Sequence, residues 1–322
     1  MATTFVSYTD IMSSTQTQVE ADLVPHLVDR SPFLQIMKWG TINDVEYEWY
    51  EEGKLVSDAY RKYNAKYAEN HVGTKKQTVR LKPHGDNFAI DRKLAKRKNF
   101  DRGSYVEQQA QSKVDAIGFG TKRMFASGDG QDSPMGVEVW TELVNDATTN
   151  PIITNFAEAA NGKKISAATA REVRATFEKA LMEHDGLPDY GFANGPVLAE
   201  LAAASMADAD LNGTFRWRVE EINGRKIRVL WFDEMFPIID IGKDYDGSLI
   251  FTQDETIGSG STGQSLYLVS FGKMGCLPLQ DAVVEMFDYP SDPGTAWAVE
   301  RADAFAYKMK NCVSRIQGML KE

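Results

Sequence analysis

The chain has 322 residues, of which 43% are hydrophobic and 25% charged, a composition that indicates a folded protein with a large core and room for two domains. It carries 36 Lys and Arg against 46 Asp and Glu, a net charge of −10. No run approaches the about 18 apolar residues of a membrane span, and we expect neither a span nor a secretory signal. Cys276 and Cys312 are too few for a disulfide framework, so we expect buried thiols and a reducing compartment such as a cytoplasm.

The charge is distributed unevenly along the chain. The segment from Lys54 to Arg102 carries 14 Lys and Arg against 5 Asp and Glu, a net of +9, and the remaining residues carry 22 against 41, a net of −19. Such asymmetry is typical of proteins that bind nucleic acid, a membrane surface or a complementary copy of themselves. A solvated face that binds nothing is the plainer alternative.

The first predicted elements are short helical pieces within residues 16–38, which prolines interrupt. The stretch NDVEYEWYEE then alternates apolar and acidic residues, as a strand with one buried face does. A second alternating stretch, QTVRLK, carries basic residues at its polar positions. Because acidic residues on one strand would face basic ones on the other, the two stretches predict an antiparallel β-hairpin.

The connection between these two strands is unusually long. It runs from Gly53 to Lys76, whereas ordinary hairpin loops have about 2–5 residues. It is basic and carries three tyrosines, which favours contact with a partner over packing on its own domain. A floppy loop is the alternative. The residues expected to make the partner contact are Lys54, Tyr60, Arg61, Lys62, Tyr63, Lys66, Tyr67, Lys75 and Lys76.

A basic stretch, DRKLAKRKNF, follows the hairpin and carries a cluster of cationic side chains, namely Arg92, Lys93, Lys96, Arg97 and Lys98. Beyond it, apolar residues recur at steps of three and four, which predicts a long amphipathic helix with Asp101 or Ser104 as its N-cap. The stretch SGDGQDSPMG ends this helix. It lacks the ligand spacing of a calcium loop and is predicted as a turn.

The second half of the chain alternates helix and strand patterns. SAATAREVRATFEKALMEH predicts a helix capped by Ser166, and GFANGPVLAELAAASM predicts a strand end followed by a helix. Strands are predicted at GRKIRVLWFD, SLIFTQDE and SLYLVSFG, and WAVERADAFAYKMKNCV alternates in part. Mixed helices and strands around one or two sheets indicate the α+β class.

No pattern in the chain carries a catalytic or metal-binding constellation, so we expect no catalysis, no cofactor and no metal. The segment from Gly258 to Gly263, GSGSTG, matches the spacing of a dinucleotide-binding loop, which requires a helix after it. The residues that follow are strand-like, so a connection between strands is the favoured interpretation. A helix starting near Gln264 would instead support a nucleotide-binding enzyme.

The order of these features resembles the major capsid protein of tailed bacteriophages, which has the Hong Kong 97-like fold. The resemblance rests on the hairpin, on FAIDRKLAKRKNFD before a long helix, on the GDG…SPMG turn and on the late stretch FDYPSDPGTAWAVERADAFAYKMKNCVSRIQGM. It implies an N-terminal arm at 1–40 and an extended loop at 41–90. It also implies a peripheral domain at 91–165 and 281–322, with a spine helix at about 104–127, and an axial domain at 166–280.

This resemblance implies self-assembly into pentamers and hexamers that close into an icosahedral shell around double-stranded DNA. The protein would be part of a virion that is assembled in the cytoplasm of a host bacterium. Implied partners are other copies of the chain, a separate scaffolding protein, a portal, a decoration protein in some cases, and DNA held without sequence preference. The extended loop would lie on a neighbouring subunit, and the basic cluster would hold an acidic neighbour, slightly favoured, or face the DNA. The alternatives are an encapsulin-type nanocompartment with the same fold and a small DNA-binding protein.

Overall fold

The computed structural model describes most of the chain between the first helix and the last strand. The described residues are 32–42, 44–52, 74–91, 93, 96, 102–160, 164–207, 213–222, 225–251, 255–257, 261–272, 274–280, 285–291 and 294–319. None of the described helices combines the length and apolar character that crossing a bilayer requires.

The described elements mix helices and strands along the whole chain, as the α+β class requires. The helices are α1 (Pro32–Ile36), α2 (Arg102–Ser127), α3 (Val137–Val144), α4 (Phe156–Ala159), α5 (Ala170–Glu183) and α6 (Gly195–Ala207). The strands are β1 (Gly40–Thr41), β2 (Glu46–Glu52), β3 (Thr74–Arg80), β4 (Lys82–Asp91), β5 (Ile153–Asn155), β6 (Tyr190–Ala193), β7 (Phe215–Ile222), β8 (Arg225–Phe232), β9 (Phe236–Asp240), β10 (Glu255–Ile257), β11 (Ser261–Val269), β12 (Cys276–Gln280), β13 (Glu285–Ser291), β14 (Gly294–Tyr307) and β15 (Val313–Met319). Short 3-10 turns precede α5 and β15.

The first sheet has five strands and is organised by the long strand β14. On one side, β14 pairs with β4 in an unbroken antiparallel register from Gly294 opposite Asp91 to Asp303 opposite Lys82. On its other side it pairs first with β13 and then with β12. Strand β1 extends this edge by pairing in parallel with β12. The hairpin strands β2 and β3 form a separate two-stranded sheet. Because β3 is followed directly by β4, the hairpin is continuous with the first sheet.

The second sheet has eight strands in the order β5-β15-β11-β6-β9-β8-β7, with β10 paired to β11. The β5–β15 and β6–β9 pairs are parallel and the others are antiparallel. Helices α5 and α6 cover it with small and apolar side chains, and the aromatic rings of Phe177, Phe215 and Phe232 pack against one another beneath them.

The long helix α2 joins the two sheets through one aromatic side chain. Phe125 is fully buried, and its ring centroid lies 5.5 Å from Phe305 in the first sheet and 5.5 Å from Phe192 in the second. The ring of Phe33 in α1 lies 4.9 Å from it on another side. Aromatic pairs at these distances add to the free energy of burial, so Phe125 ties four elements together.

The structure confirms the predicted hairpin, the long helix and most of the strands in the second half. The helix begins at Arg102, so Ser104 lies inside its first turn, and the other N-cap candidate, Asp101, lies outside the described residues. Ala110, Val114 and Ile117 are buried and stand at steps of four and three, the spacing from which the helix was predicted. The helix predicted after Ser166 begins later, at Ala170, after a 3-10 turn.

The strand predicted at SLIFTQDE is wrong over residues 248–251, whereas its last residue, Glu255, begins strand β10. Within the described part of that stretch, Leu249 forms an isolated bridge with Lys243, and Ile250 and Phe251 lie buried in a bend. The side-chain amide of Asn194 donates to the Phe251 carbonyl at 3.0 Å, and its oxygen accepts from the Phe251 amide at 3.3 Å. A side chain therefore satisfies the backbone groups that a neighbouring strand would otherwise pair.

Truncating the buried Phe125 side chain should destabilise the folded subunit without changing its surface. We expect Phe125→Ala to lower the free energy of unfolding by about 3–5 kcal/mol, because it leaves a cavity between two sheets. Denaturant titration of the unassembled chain measures this. The matched control is Ser112→Ala, at an exposed position of the same helix, which should change stability by less than about 0.5 kcal/mol. Equal stability of the two variants would contradict the role of Phe125 in joining the two sheets.

Candidate functional site

Charged pairs join the two hairpin strands on their exposed face. Arg80 lies directly opposite Glu46, and their side chains approach to 2.5 Å. Lys76 reaches Glu48 diagonally at 2.6 Å, and this contact raises the pKa of the lysine. Both pairs are exposed, and exposed pairs of this kind contribute little to stability. The charge complementarity predicted for the two strands is present.

The base of the hairpin is anchored by an apolar cluster and by backbone hydrogen bonds. Ile42 and Leu81 pack with Leu277 and Leu279 of β12, and the partly buried rings of Tyr47 and Trp49 extend this cluster along the hairpin. The Ile42 amide donates to the Gln280 carbonyl at 3.1 Å. The base of each hairpin strand is therefore fixed to the first sheet.

A groove of about 1050 Å³ runs between the hairpin, the turn after α2, helix α3 and the end of β14. We name it the hairpin groove. Its floor is aromatic, because Trp140 stacks on Tyr307 with ring centroids 4.6 Å apart and Trp49 lies on the hairpin side. Five lysines and arginines line it against one acidic residue, Glu51; they are Lys75, Arg80, Lys82, Lys308 and Lys310. Apolar side chains with a cationic rim make this groove the strongest candidate for a binding surface among the described residues.

A buried ion pair lies where the hairpin joins the body. Arg301 and Asp303 of β14 are 2% and 1% exposed, and Arg301 Nε donates to Asp303 Oδ1 at 2.6 Å. Asp303 Oδ2 lies 2.9 Å from His84 Nε2 of β4 and accepts from the Thr121 hydroxyl of α2 at 3.1 Å. The Arg301 guanidinium lies 4.3 Å from the ring centre of Trp39. One charged pair therefore contacts β4, α2 and the segment before β1, besides its own strand.

The electrostatics of this pair favour the charged state of the carboxylate. Burial acts to raise the pKa of Asp303, but the charge of Arg301 and the hydrogen bond from His84 outweigh it, so the pKa lies below its usual value. This stabilisation is present above the usual carboxyl pKa of about 4 and is lost as the pH falls through the lowered value.

A second partly buried pairing links helix α3 to the second sheet. Arg315 of β15 donates from Nε to the Ser265 hydroxyl at 2.7 Å and from Nη1 to Glu142 at 3.1 Å. Its Nη2 lies 3.7 Å from Glu138. Because Glu138 and Glu142 are one turn apart on α3, a single arginine holds one face of that helix.

The predicted partner-binding residues fall only in part within the described residues. Lys75 and Lys76 lie on β3 and are exposed, and Lys75 lines the hairpin groove. Lys93 and Lys96 of the basic cluster are also exposed, and the Lys93 amide donates to Asp91. The remaining predicted residues lie outside the described part of the chain; they are Lys54, Tyr60, Arg61, Lys62, Tyr63, Lys66, Tyr67, Arg92, Arg97 and Lys98.

Sequence patterns alone missed the residues at the hairpin base. Arg301 and Asp303 stand in WAVERADAFAY, a stretch that alternates only in part, and their signal was two opposite charges at positions that share one face of a strand. Trp140, Lys308 and Lys310 come from segments distant in sequence from the hairpin. Their place in the groove follows from the pairing of strands and could not be inferred from spacing.

His184 and the two cysteines lie in the interior of the protein. His184 is buried between the hydroxyls of Ser314 at 3.0 Å and Ser270 at 2.8 Å, and desolvation lowers its pKa to about 4. Cys276 and Cys312 are buried free thiols whose pKa values are raised by burial. Within the described residues, no three His, Cys, Asp or Glu side chains converge as metal ligands.

The two remaining motifs have structural roles. In the turn after α2, Asp129 accepts from the amides of Gln131, Asp132 and Ser133, and these hydrogen bonds lower its pKa to about 2. The sequence predicted a turn at this stretch, and in the structure the carboxylate closes it. In the glycine-rich segment, strand β11 begins at Ser261 and includes Gln264. A helix is absent at that described position, which removes the basis for a dinucleotide site.

Removing one partner of the buried pair should be costly, and removing both should not. We expect Asp303→Asn to lower the free energy of unfolding by about 3–5 kcal/mol, because it leaves the Arg301 charge buried without its counter-ion. A double variant, Arg301→Met with Asp303→Leu, should recover most of that loss. Denaturant titration of the unassembled chain tests both. Asp86→Asn is the control, since Asp86 pairs with Lys113 at an exposed position of the neighbouring strand β4, and it should cost less than about 1 kcal/mol.

The buried histidine should make subunit stability depend on pH. Because the pKa of His184 is about 4 in the folded chain and about 6.5 when unfolded, the unfolded state takes up a proton first. The free energy of unfolding should therefore fall as the pH drops from about 6.5 to 4. We expect His184→Gln to flatten this slope in thermal melts across that range. An unchanged slope in the variant would contradict the assignment.

No protein-family model matches the chain, and no curated protein matches it in sequence. Solved structures do match it over nearly its whole length. The chain is similar to the encapsulin of the holo-SrpI complex from Synechococcus elongatus PCC 7942, with a TM-score of 0.60, 9% identity, and coverage of 96% of this chain and 92% of that one. The capsid of a native GTA particle gives a TM-score of 0.60 at 12% identity, with 90% of each chain covered.

A structure from Mycobacterium phage Bobi gives a TM-score of 0.55 at 13% identity, with 89% of each chain covered. The TM-scores of 0.55 to 0.60 over most of each chain establish a shared fold. The chain has the Hong Kong 97-like fold, of the α+β class.

Proposed function

We propose that the chain is a major capsid protein of a tailed bacteriophage, which assembles into pentamers and hexamers of an icosahedral shell. The observation that carries this proposal is the match of 89% to 90% of the chain to a Mycobacterium phage structure and to the capsid of a GTA particle. The buried state of His184 and of the two thiols supports a structural role over an enzymatic one.

The proposed division into an arm, an extended loop and two domains agrees with the arrangement of the sheets only in part. The arm would comprise residues 1–40, the extended loop 41–90, the peripheral domain 91–165 and 281–322, and the axial domain 166–280. Some strands cross this division: β5 and β15 belong to the eight-stranded sheet, and β12 belongs to the five-stranded one. Axial domains would meet at the centre of a capsomer, and the extended loop would lie across a neighbouring subunit.

Charge supports the proposed role of the loop. The segment from Lys54 to Arg102 has a net charge of +9 and the remainder −19, so the loop of one subunit would find acidic surface on another. The basic cluster around Lys93 and Lys96 would hold an acidic neighbour in preference to DNA. Packaged double-stranded DNA needs only weak contact without sequence preference, and an acidic shell wall avoids trapping it. A scaffolding protein, a portal and a decoration protein are further proposed partners, with assembly in the bacterial cytoplasm and residence in the virion.

An encapsulin-type nanocompartment is the second candidate. The match to the SrpI encapsulin covers 96% of this chain at a TM-score of 0.60, as high as the match to the GTA capsid. The long basic extended loop weighs for the viral role. Native particles that contain nuclease-protected DNA would support the phage proposal, and particles that contain a cargo protein without DNA would support the encapsulin.

The first test is the assembly state of the purified chain. Size-exclusion chromatography and negative-stain electron microscopy should give closed shells, tubes or free pentamers and hexamers. Coexpression with a scaffolding protein, the proposed assembly partner, controls for a missing assembly factor. A uniform small species in both conditions that binds duplex DNA with steep salt dependence would contradict the proposal and support the DNA-binding alternative.

Reversing the charge of the extended loop should block assembly and leave the subunit folded. We expect the triple variant Arg61→Glu, Lys62→Glu and Lys66→Glu to lose shells in negative stain, because like charges would then face each other across the interface. Its circular dichroism spectrum should match that of the wild type. The matched control is the triple variant Arg61→Lys, Lys62→Arg and Lys66→Arg, which keeps the charge of the loop and should form normal shells. Normal shells from the charge-reversed variant would refute the role of the loop.

A further inference from the structure

The hairpin groove borders a second exposed surface, which we name the acidic ridge. It consists of Met182, Glu183, Asp185, Leu187 and Met274. Its apolar members are 81%, 64% and 69% exposed for Met182, Leu187 and Met274, and Asp185 is exposed between them. Clusters of exposed apolar side chains rimmed by polar residues mark interaction sites. The loop after α5 and the turn after β11 therefore present exposed apolar side chains of the kind that bind a partner.

The members of the acidic ridge are held together by hydrogen bonds. The Ser270 hydroxyl donates to the Leu187 carbonyl at 3.3 Å, which connects the end of α5 to the turn after β11. That turn, which carries Met274, is closed by the Cys276 amide donating to the Ser270 carbonyl at 2.8 Å. The ridge is thus a supported surface of the folded body.

The acidic ridge and the hairpin groove lie side by side. The side-chain amide of Asn311 donates to the Glu183 carbonyl at 3.0 Å, and the Asp185 amide donates to the Asn311 carbonyl at 3.0 Å. Asn311 follows Lys310, which lines the groove. On the other side of the ridge, the Lys308 amide donates to the carbonyl of Gly275, the residue after Met274, at 3.3 Å. The two surfaces therefore share one edge and one face of the molecule.

Their chemistry is complementary. The groove offers aromatic and apolar side chains, including Trp140 and Leu143, with five cationic residues against one acidic residue. The ridge offers apolar tips flanked by carboxylates. The cationic side chains of Lys75 and Lys310 lie on the groove rim, where they can meet carboxylates of a bound partner. A ligand for this groove must bring negative charge and an apolar side chain together, and the ridge does both.

We propose that the hairpin groove of one copy binds the acidic ridge of a second copy of this chain. Because groove and ridge are adjacent, a two-fold axis at their shared edge would place each ridge in the opposite groove, so that one symmetric contact is made twice. Leu187 enters the groove beside Leu143, and Asp185 pairs with Lys310. The proposal rests on the proposed function in that it names one contact between shell subunits. The same contact would also form in an isolated dimer.

A charge-swap experiment tests the pairing between copies. Lys310→Glu and Asp185→Lys should each weaken self-association about tenfold in sedimentation velocity, because like charges then meet twice at the interface. Mixing the two variants should restore it, since in a mixed dimer both contacts again join one positive and one negative side chain. Weakening without restoration in the mixture, or no weakening at all, would overturn the pairing. Lys226→Glu, at an exposed position outside the groove, is the control variant.

Cysteine trapping tests the contact independently of shell formation. A chain with Leu143→Cys and Leu187→Cys should form covalent dimers under mild oxidation, since both positions are exposed and the native thiols are buried. A chain with Leu143→Cys and Met206→Cys, where Met206 is exposed outside both surfaces, should not. Shells without trapped dimers would overturn the inference and leave the proposed function standing. Trapped dimers without shells would do the reverse.

Discussion

The buried pair of Arg301 and Asp303 requires partners from several segments, and these partners fix the hairpin to the body. Moving two charges out of water costs several kcal/mol each, and their mutual attraction offsets this only when further hydrogen bonds complete the site. Those partners come from β4 through His84, from α2 through Thr121 and from the segment before β1 through Trp39. A one-residue slip of β4 along β14 would turn His84 to the opposite face and leave the carboxylate without it.

This constraint explains why the hairpin can extend from the body and still have a defined direction. A two-stranded ribbon is marginally stable alone, and the exposed pairs between β2 and β3 contribute little. The register of β4 against β14 and the apolar cluster around Ile42 and Leu81 fix both limbs where they leave the first sheet. The body thus determines the orientation of the hairpin, and the hairpin surface is left to bind a partner.

The distribution of charge in space differs from its distribution along the chain. The basic segment around the hairpin is joined at the groove by Lys308 and Lys310, which follow β14 near the far end of the sequence. The acidic ridge lies beside them and belongs to a part of the chain with a strong negative balance. Opposite charges are therefore placed next to each other on one face, where a copy of the same surface can satisfy both.

The sequence by itself determined the elements whose signals are local. Alternation in EYEWYEE and QTVRLK predicted the hairpin, steps of three and four residues predicted α2, and the strand-like residues after Gly263 argued against a dinucleotide loop. The order of these elements was enough to suggest the fold.

Local patterns failed where a distant side chain replaced a strand partner, as Asn194 does for Phe251. Only the tertiary structure decided which residues form the sites, since the partners of Asp303 lie on other elements and the groove collects Trp49, Trp140 and Lys310 from three distant segments. Periodicity reports which face of an element is buried, because that depends on the spacing of neighbours along the chain. It carries no information on which element covers that face, because the pairing of strands far apart in sequence depends on the packing of the whole core.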